Sequence, residues 1–309
     1  MRKIPKHLMA SPHLHPKYLP LWLVAGLLWL MAQLPWKFSM RAGRALGSLI
    51  WLVLRPNRKR VLMTNIRLCF PELSEEEQDE LARQHIHAAG QGILEVALAW
   101  WARDSKLRPL AHVSGLEHLE RARAEGKGVI LLSAHFTSLE MGGRMLGFYS
   151  PFHVVYRSNE NPFTEYLLKR NRDKHSEMAI DKRNIKQMVR SLRADNVVWY
   201  APDQDMIAKD PLFAPFMGIM TATNTATSRL AKISHAPVVP YAIFRRKDGK
   251  GYDLEFQPAL EGFPSGDDLE DATRINRIFE EWIRRQPEDY FWFHRRFKQR
   301  PPGEPDLYR

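Results

Sequence analysis

Hydrophobic and polar positions follow three successive patterns along the chain. From Leu19 to Trp36 there is no charged residue at all. Eighteen residues in one helix would reach about 27 Å, close to the hydrocarbon thickness of a bilayer. Trp22, Trp29 and Trp36 recur at intervals of seven, and Pro20 and Pro35 lie near the two ends. No small-x-small cleavage site follows, so the run reads as a membrane anchor that spans or only enters the bilayer, not as a removed signal peptide. From Lys37 to Leu54, the chain carries Lys37, Arg41 and Arg44 beside Leu46, Leu49, Ile50, Trp51 and Val53, and the cluster Arg55, Arg58, Lys59 and Arg60 follows. That pattern predicts an amphipathic helix in an anionic lipid interface. A helix packed on the globular body is the competing reading.

The second pattern is a long helix. Ser74-Glu75-Glu76-Glu77 forms a capping-box sequence, and helical spacing continues through Trp101. The third begins at Gly128, where short apolar runs alternate with amphipathic segments. Strands are predicted over Val129–Ser133, His153–Tyr156, Val197–Ala201, Pro237–Phe244 and Tyr252–Phe256. Helices are predicted over Ser138–Gly147, Phe163–Lys174, Asn184–Ala194, Thr225–Ile233 and Ala272–Arg285. This alternation predicts an α/β fold: a central mixed sheet flanked by helices, preceded by an N-terminal membrane-anchoring helix. The domains expected are residues 1–60, anchor and interfacial basic helix, and residues 61–309, a cytoplasmic α/β domain. The cytoplasmic side follows from the excess of positive charge after the apolar run.

Composition narrows the partners. The net charge is +11, which favours an anionic partner: a membrane surface, phosphates, an acidic protein or nucleic acid. Cys69 is the single cysteine, so no internal disulfide can form, and between Leu68 and Phe70 it reads as a buried small hydrophobe.

The sharpest candidate chemistry follows the first predicted strand. His135-Phe136-Thr137-Ser138-Leu139-Glu140 places a carboxylate five residues after a histidine. On one continuous helix the two side chains would point about 140° apart. They can meet only if His135 sits in the turn and Glu140 in the first turn of the next helix. So arranged, His135 is a candidate general base and Glu140 its orienting acid. Thr137-x-x-Glu140 also fits a structural capping box. With 12 histidines and 35 acids in 309 residues, roughly one such spacing arises by chance. The other occurrence, His112 to Glu117, lacks the buried strand before it.

Other polar segments stand out. Arg157 ends Val154-Val155-Tyr156-Arg157 and could fork onto a phosphate. Asp181-Lys182-Arg183 precedes a predicted helix start and could hold an anion, or Asp181 could simply cap that helix. Asp203 and Asp205 follow a buried strand with the Asp-x-Asp spacing by which glycosyltransferases hold a metal and a nucleotide-sugar diphosphate; a solvated acidic turn gives the same pattern. Phe291 to Lys298 interleaves aromatics with cations, as in single-stranded nucleic-acid binders. A half-buried strand or helix turning its bases to lipid phosphates fits better. There is no Gly-x-Ser-x-Gly, Walker A, Gly-x-Gly-x-x-Gly or His-Glu-x-x-His motif. The pairs His85/His87 and His13/His15 have no credible further metal ligands.

Taken in order, HFTSLEMGGR from His135, VVYRSNENP from Val154, IDKRNIKQM from Ile180, VVWYAPDQD from Val197 and PEDYFWFHRRFKQRPPG from Pro287 resemble the late acyltransferases of bacterial lipid A biosynthesis, lauroyltransferase branch. The resemblance runs over nearly the whole chain. It implies a glycerolipid-acyltransferase-like fold and an inner-membrane enzyme whose active site faces the cytoplasm. The implied reaction moves an acyl chain, lauroyl by this branch, from acyl carrier protein to a hydroxyl of a 3-hydroxyacyl chain on a Kdo-modified lipid A precursor. No cofactor or metal is implied. It assigns His135 and Glu140 as catalytic, and Arg157, Asp181, Lys182, Arg183, Asp203 and Asp205 as substrate-site residues. Expected partners are acyl carrier protein, the lipid acceptor and anionic inner-membrane lipids, with no nucleic acid. Glycerolipid acyltransferases of the wider superfamily usually carry Asp at the position of Glu140, and Phe-Pro-Glu-Gly where Ala201-Pro202-Asp203-Gln204 stands here. Two other readings are a membrane-associated metal-dependent glycosyltransferase using Asp203 and Asp205, and a non-enzymatic protein that binds anionic lipid through its basic surface.

Overall fold

The charge-free run is divided by Pro35. Leu19–Gln33 forms helix α1 and Trp36–Val53 forms α2, with Leu34 and Pro35 extended between them. A residue before proline is sterically driven out of the helical region, which ends α1 there. The computed structural model describes residues 12–204 and 211–308, and among them no helix is long and apolar enough to cross a membrane. Of the two readings of Leu19–Trp36, a helix that spans the bilayer or one that only enters it, the spanning one is therefore corrected: the fifteen residues of α1 reach only about 22 Å. Leu19, Leu23, Val24, Leu27, Trp29 and Leu30 of α1 are nonetheless exposed.

Helix α3 spans Pro56–Cys69 and α4 spans Glu75–Trp101, the latter opened by the reciprocal Ser74/Glu77 capping box. Helix α2 lies along α4 through its smallest residues. A Cβ at Gly43 would stand 2.6 Å from the Gln91 Cα, and one at Gly47 2.5 Å from the Ile86 carbonyl oxygen. Such backbone proximity admits only glycine. The opposite side of α2 leaves Phe38, Leu49, Leu52 and Val53 exposed. Packing on the body thus describes one face of α2, while the other remains apolar and open.

The remaining elements are α5 (Asp104–Leu107), β1 (Ala111–Ser114), α6 (Leu116–Arg123), β2 (Val129–Leu132), α7 (Leu139–Leu146), β3 (His153–Tyr156), α8 (Pro162–His175), β4 (Met178–Asp181), α9 (Ile185–Arg193), β5 (Val197–Tyr200), β6 (Leu212–Phe216), β7 (Ile219–Thr223), α10 (Ala226–Ser234), β8 (Val238–Arg245), β9 (Tyr252–Phe256) and α11 (Asp268–Arg285). The described residues form a seven-stranded sheet of order β1-β9-β8-β2-β5-β3-β4 and a separate β6–β7 hairpin. Strands β8, β2, β5, β3 and β4 pair in parallel, whereas β8 and β9 are antiparallel, so the sheet is mixed.

Strand periodicity of two sorts the core onto two faces. Ile130, Leu132, Val198, Tyr200 and Phe244 pack with residues of α3, α9, α10 and α11. Val129, Leu131, Trp199, Tyr241 and Ile243 pack with α4, α6 and α7, and with Trp36 and Met40 of α2. Both faces of β2 and β5 are buried, hence their continuous apolar runs. Phe291–Lys298, expected as a strand or helix, forms turns instead. The expected layering holds only in part: Trp292 and Phe297 are buried and Arg295 and Lys298 face outward, but Phe291 is exposed and Arg296 is buried. Cys69 is buried and unpaired, as a small hydrophobe would be.

Candidate active site

The parallel pairing of β2 with β5 sets Leu132 opposite Tyr200. Three residues beyond each lie His135 and Asp203. The two chains leave the sheet side by side at its carboxyl edge, where open α/β sheets build their sites. His135 Nδ1 lies 2.6 Å from Asp203 Oδ1, and the His135 backbone N–H donates to Asp203 Oδ2 at 3.1 Å. The Asp203 side chain is fully buried, whereas that of His135 is 31 % exposed. Burial pushes the Asp203 carboxyl up, but the adjacent imidazole and the backbone and side-chain hydrogen bonds outweigh it and hold the group below its ordinary value. An ionised carboxylate can only accept, so Nδ1 carries the proton and Nε2 keeps a lone pair for chemistry.

The turn that carries His135 is fastened from behind. The His135 carbonyl accepts the N–H of Phe291 at 3.0 Å, and Phe136 bridges Tyr290. Thr137 donates its backbone N–H to the Asp289 carbonyl at 2.7 Å and its hydroxyl to the Asp289 carboxylate at 3.2 Å. Asp289 is ion-paired to Arg245, which also forks onto Glu95 with both contacts at 2.8 Å. Arg245, Glu95 and Asp289 are all at least 89 % buried as side chains, and a buried group of this kind is strongly penalised when any member is removed.

Glu140 lies elsewhere. On the first turn of α7 it accepts from Trp100 Nε1 at 2.9 Å and pairs with Arg172 Nη2 at 2.8 Å. Burial raises its carboxyl, but the Arg172 guanidinium and the Arg172 and Trp100 hydrogen bonds bring it below the usual range. The expectation that Glu140 orients His135 is corrected at the level of geometry: the carboxylate on the imidazole is Asp203. The physical reason is that α7 runs away from the turn, carrying Glu140 toward α4 and α8. Nor does the Thr137/Glu140 capping box form, because the Thr137 hydroxyl is committed to Asp289 and Arg245.

Strands β3 and β4 continue the same sheet edge outward from β5. Arg157 follows β3, is exposed, and pairs among the described residues with the still more exposed Glu160 at 3.6 Å. Asp181, which ends β4, accepts from Arg183 Nε at 3.0 Å and from Ser158 Oγ at 2.7 Å, joining the two loops. The Arg183 hydrogen bonds hold the Asp181 carboxyl well below its ordinary value. Asp181 does not cap α9; Asn184 does, accepting from the Gln187 N–H. Lys182 and Arg183 face solvent. Arg157, Lys182 and Arg183 thus lie on the segments that leave β3 and β4 at the same carboxyl edge of the sheet that β2 and β5 leave toward His135 and Asp203. Asp205 lies outside the described residues.

Sequence reading missed His294. Burial pushes it down to about 4, and the charges of Asp203 and His135 both act on it. Its Nδ1 is buried without a hydrogen-bond partner. Arg245 and Glu95 were missed as well. Only the tertiary pairing of residues 150 positions apart joins them, and no local pattern signals that. Among the described residues, no group of three or more His, Cys, Asp or Glu could hold a metal ion.

A histidine of defined tautomer, backed by a buried carboxylate at the carboxyl edge of a mixed α/β sheet, is an arrangement chemically able to take a proton from a hydroxyl. The model of the bacterial lipid A biosynthesis acyltransferase family matches residues 9–299, and the chain belongs to that family. It is 37 % identical to a lipid A biosynthesis lauroyltransferase of Escherichia coli K12 over the full length of both chains. It is 36 % identical to the palmitoleoyltransferase of the same strain over 96 % of each chain. Identity to the E. coli K12 myristoyltransferase is 29 %, over 96 % of this chain and 92 % of that one. The chemistry is therefore acyl transfer in lipid A biosynthesis.

Proposed function

We propose that the protein transfers a lauroyl chain from acyl carrier protein to a hydroxyl of a 3-hydroxyacyl chain on Kdo-modified lipid A precursor. It would act at the cytoplasmic face of the bacterial inner membrane. The observation that carries the mechanism is the His135–Asp203 contact. His135 Nε2 takes the proton of the acceptor hydroxyl as its oxygen attacks the thioester carbonyl. The tetrahedral intermediate collapses, the C–S bond breaks, and the imidazolium returns the proton to the carrier's thiolate. Asp203 holds the tautomer and stabilises the imidazolium, the part an aspartate plays in a Ser-His-Asp triad. No covalent acyl-enzyme is required. Backbone N–H groups at the start of α7 would stabilise the developing oxyanion, since that end of a helix carries partial positive charge.

Glu140 is then a positioning residue: by fixing Arg172 and Trp100 it sets the start of α7 relative to His135. Arg157, Lys182 and Arg183 meet the anionic groups of the acceptor, with Asp181 holding Arg183 in place. Other surface cations favour the acidic carrier protein and anionic lipid. The exposed apolar faces of α1 and α2 support attachment at a membrane surface without a spanning helix. Lauroyl rests on the likeness to the lauroyltransferase; the floor of an apolar tunnel discriminates one methylene by only about 1–3 kcal/mol. The metal-dependent glycosyltransferase reading loses its footing because both Asp203 oxygens are engaged by His135.

The test incubates detergent-purified protein with Kdo-lipid A precursor and a panel of acyl-carrier-protein donors in EDTA, with products read by mass. A single mass gain of one lauroyl group, absent in His135→Ala, is the expected result. A gain of another chain corrects the donor alone. No product from any folded preparation overturns the reaction.

A further inference from the structure

A polar cavity opens between α2 and the β8–β9 hairpin, with a volume of about 550 Å³. Six cationic side chains line it against three carboxylates. Two of those carboxylates are already occupied, Glu80 by Arg83 and Asp289 by Arg245. Lys37, Arg41 and Arg44 stand at i, i+4 and i+7 on α2 and so share one helical face. Lys247, in the hairpin turn, lines the opposite wall. None of these four meets a carboxylate among the described residues. His87 adds no charge near pH 7, because burial and then the field of Arg44 lower it.

The glycine crossing with α4 holds α2 in place, so its cations cannot simply swing apart with the helix. Like charges gathered on a concave wall repel one another and raise the local potential for an anion. Nearby, Phe38, Leu49, Leu52 and Val53 leave the outer face of α2 apolar. An anion that reaches a cleft edged by such a surface is one carried on a lipid, and the polyvalent anion of lipids is phosphate. The inner wall includes Arg245 and Asp289, which hold Thr137, two residues from His135.

We propose that the cleft between α2 and the β8–β9 hairpin binds a lipid-borne phosphate. Resting on the acyltransferase reading, the source is a phosphate of the lipid A precursor, held so that its acyl chains extend toward His135. The membrane's own phospholipids carry the same group and are the alternative source.

The experiment measures binding to the full-length protein in detergent by calorimetry, without acyl donor. The probes are phosphorylated lipid A precursor, the same lipid with its phosphates removed, and phosphatidylglycerol nanodiscs. Arg41→Gln/Arg44→Gln should weaken binding of the phosphorylated precursor at least tenfold and leave the dephosphorylated lipid unchanged. Lys247→Gln, exposed on the other wall and away from the α2–α4 crossing, should weaken it severalfold and guards against a folding artefact. Loss confined to phosphatidylglycerol keeps the phosphate site and reassigns its source to the bilayer. Unchanged affinity for both phosphate-bearing probes in folded variants overturns the proposal. Because no turnover is read, phosphate-dependent binding can stand even where the acyl-transfer assay fails.

Discussion

His135 and Asp203 are joined twice: imidazole Nδ1 to one carboxylate oxygen at 2.6 Å, and the histidine's own backbone N–H to the other at 3.1 Å. The carboxylate therefore fixes both the ring and the peptide that carries it. Because β2 and β5 are neighbouring parallel strands in register, the contact follows from the sheet itself and does not depend on a flexible loop.

Asp203→Asn preserves shape but removes the charge that selects the tautomer and balances the imidazolium. The loss should fall on kcat, by about 10²- to 10⁴-fold, with KM changed little, as for an acid acting behind a catalytic histidine. Steady-state kinetics with acyl-carrier-protein donor checks it. A kcat within a few-fold of the parent would mean that Asp203 only fastens the turn.

Glu140→Gln should act first on stability. It leaves Arg172, whose side chain is 18 % exposed, without its counter-charge, a change that costs about 3–5 kcal/mol for a buried pair. Arg172→Met in the same chain should recover part of that loss. The residual activity of Glu140→Gln should keep the parent's pH–rate profile, whereas that of Asp203→Asn should not. A stable Glu140→Gln protein with an altered profile would put Glu140 in the proton transfer itself.

Helix α4 approaches the catalytic turn closely at Gly92. A Cβ on Gly92 would lie 2.6 Å from the Thr137 carbonyl oxygen. Gly92→Ala must displace either α4 or the turn, at about 1–3 kcal/mol of overpacking strain. The turn is the smaller body to move, so kcat should fall at least tenfold with a modest drop in Tm. Unchanged kcat beside a large Tm loss would show that the helix yields instead.

The two-residue period and the helical spacings made β2, β3, β5, β8 and β9 and their flanking helices legible, since each buries a defined face. Strands β1 and β4 were not, because at the sheet edges Ala111–Ser114 and Met178–Asp181 are only partly buried and too short for a pattern. The β6–β7 hairpin hides behind Pro215 and a Met217-Gly218 turn in which both residues have positive φ. His135 was legible from its place after a buried strand. Its partner was not: the nearest carboxylate in sequence is Glu140, whereas Asp203 is 68 residues away and is found only once β2 and β5 are known to be neighbours. For the N-terminal run, composition alone could not separate spanning from entering, since absence of charge does not show that the helix already ends at Gln33, ahead of Pro35.

Acid should weaken the fold before it unfolds the carboxylate pairs. Burial pushes His85, His175 and His294 each down to about 4, against about 6.5 when unfolded. Between those values the unfolded chain binds a proton that the folded chain excludes. Stability is thus fully present above about 6.5 and is lost as pH falls toward 4. Asp203 and Glu140, held below the usual carboxylate range, add their loss only further down, as pH drops through their own lowered values. His85 is the cleanest test: it is fully buried, its Nδ1 is 3.0 Å from the Glu288 carbonyl, and its Nε2 has no partner. Chemical denaturation from pH 7 to pH 4.5 should give a slope that His85→Gln reduces by up to one proton, about 1.4 kcal/mol per pH unit. An unchanged slope would mean that His85 already accepts a proton in the folded protein.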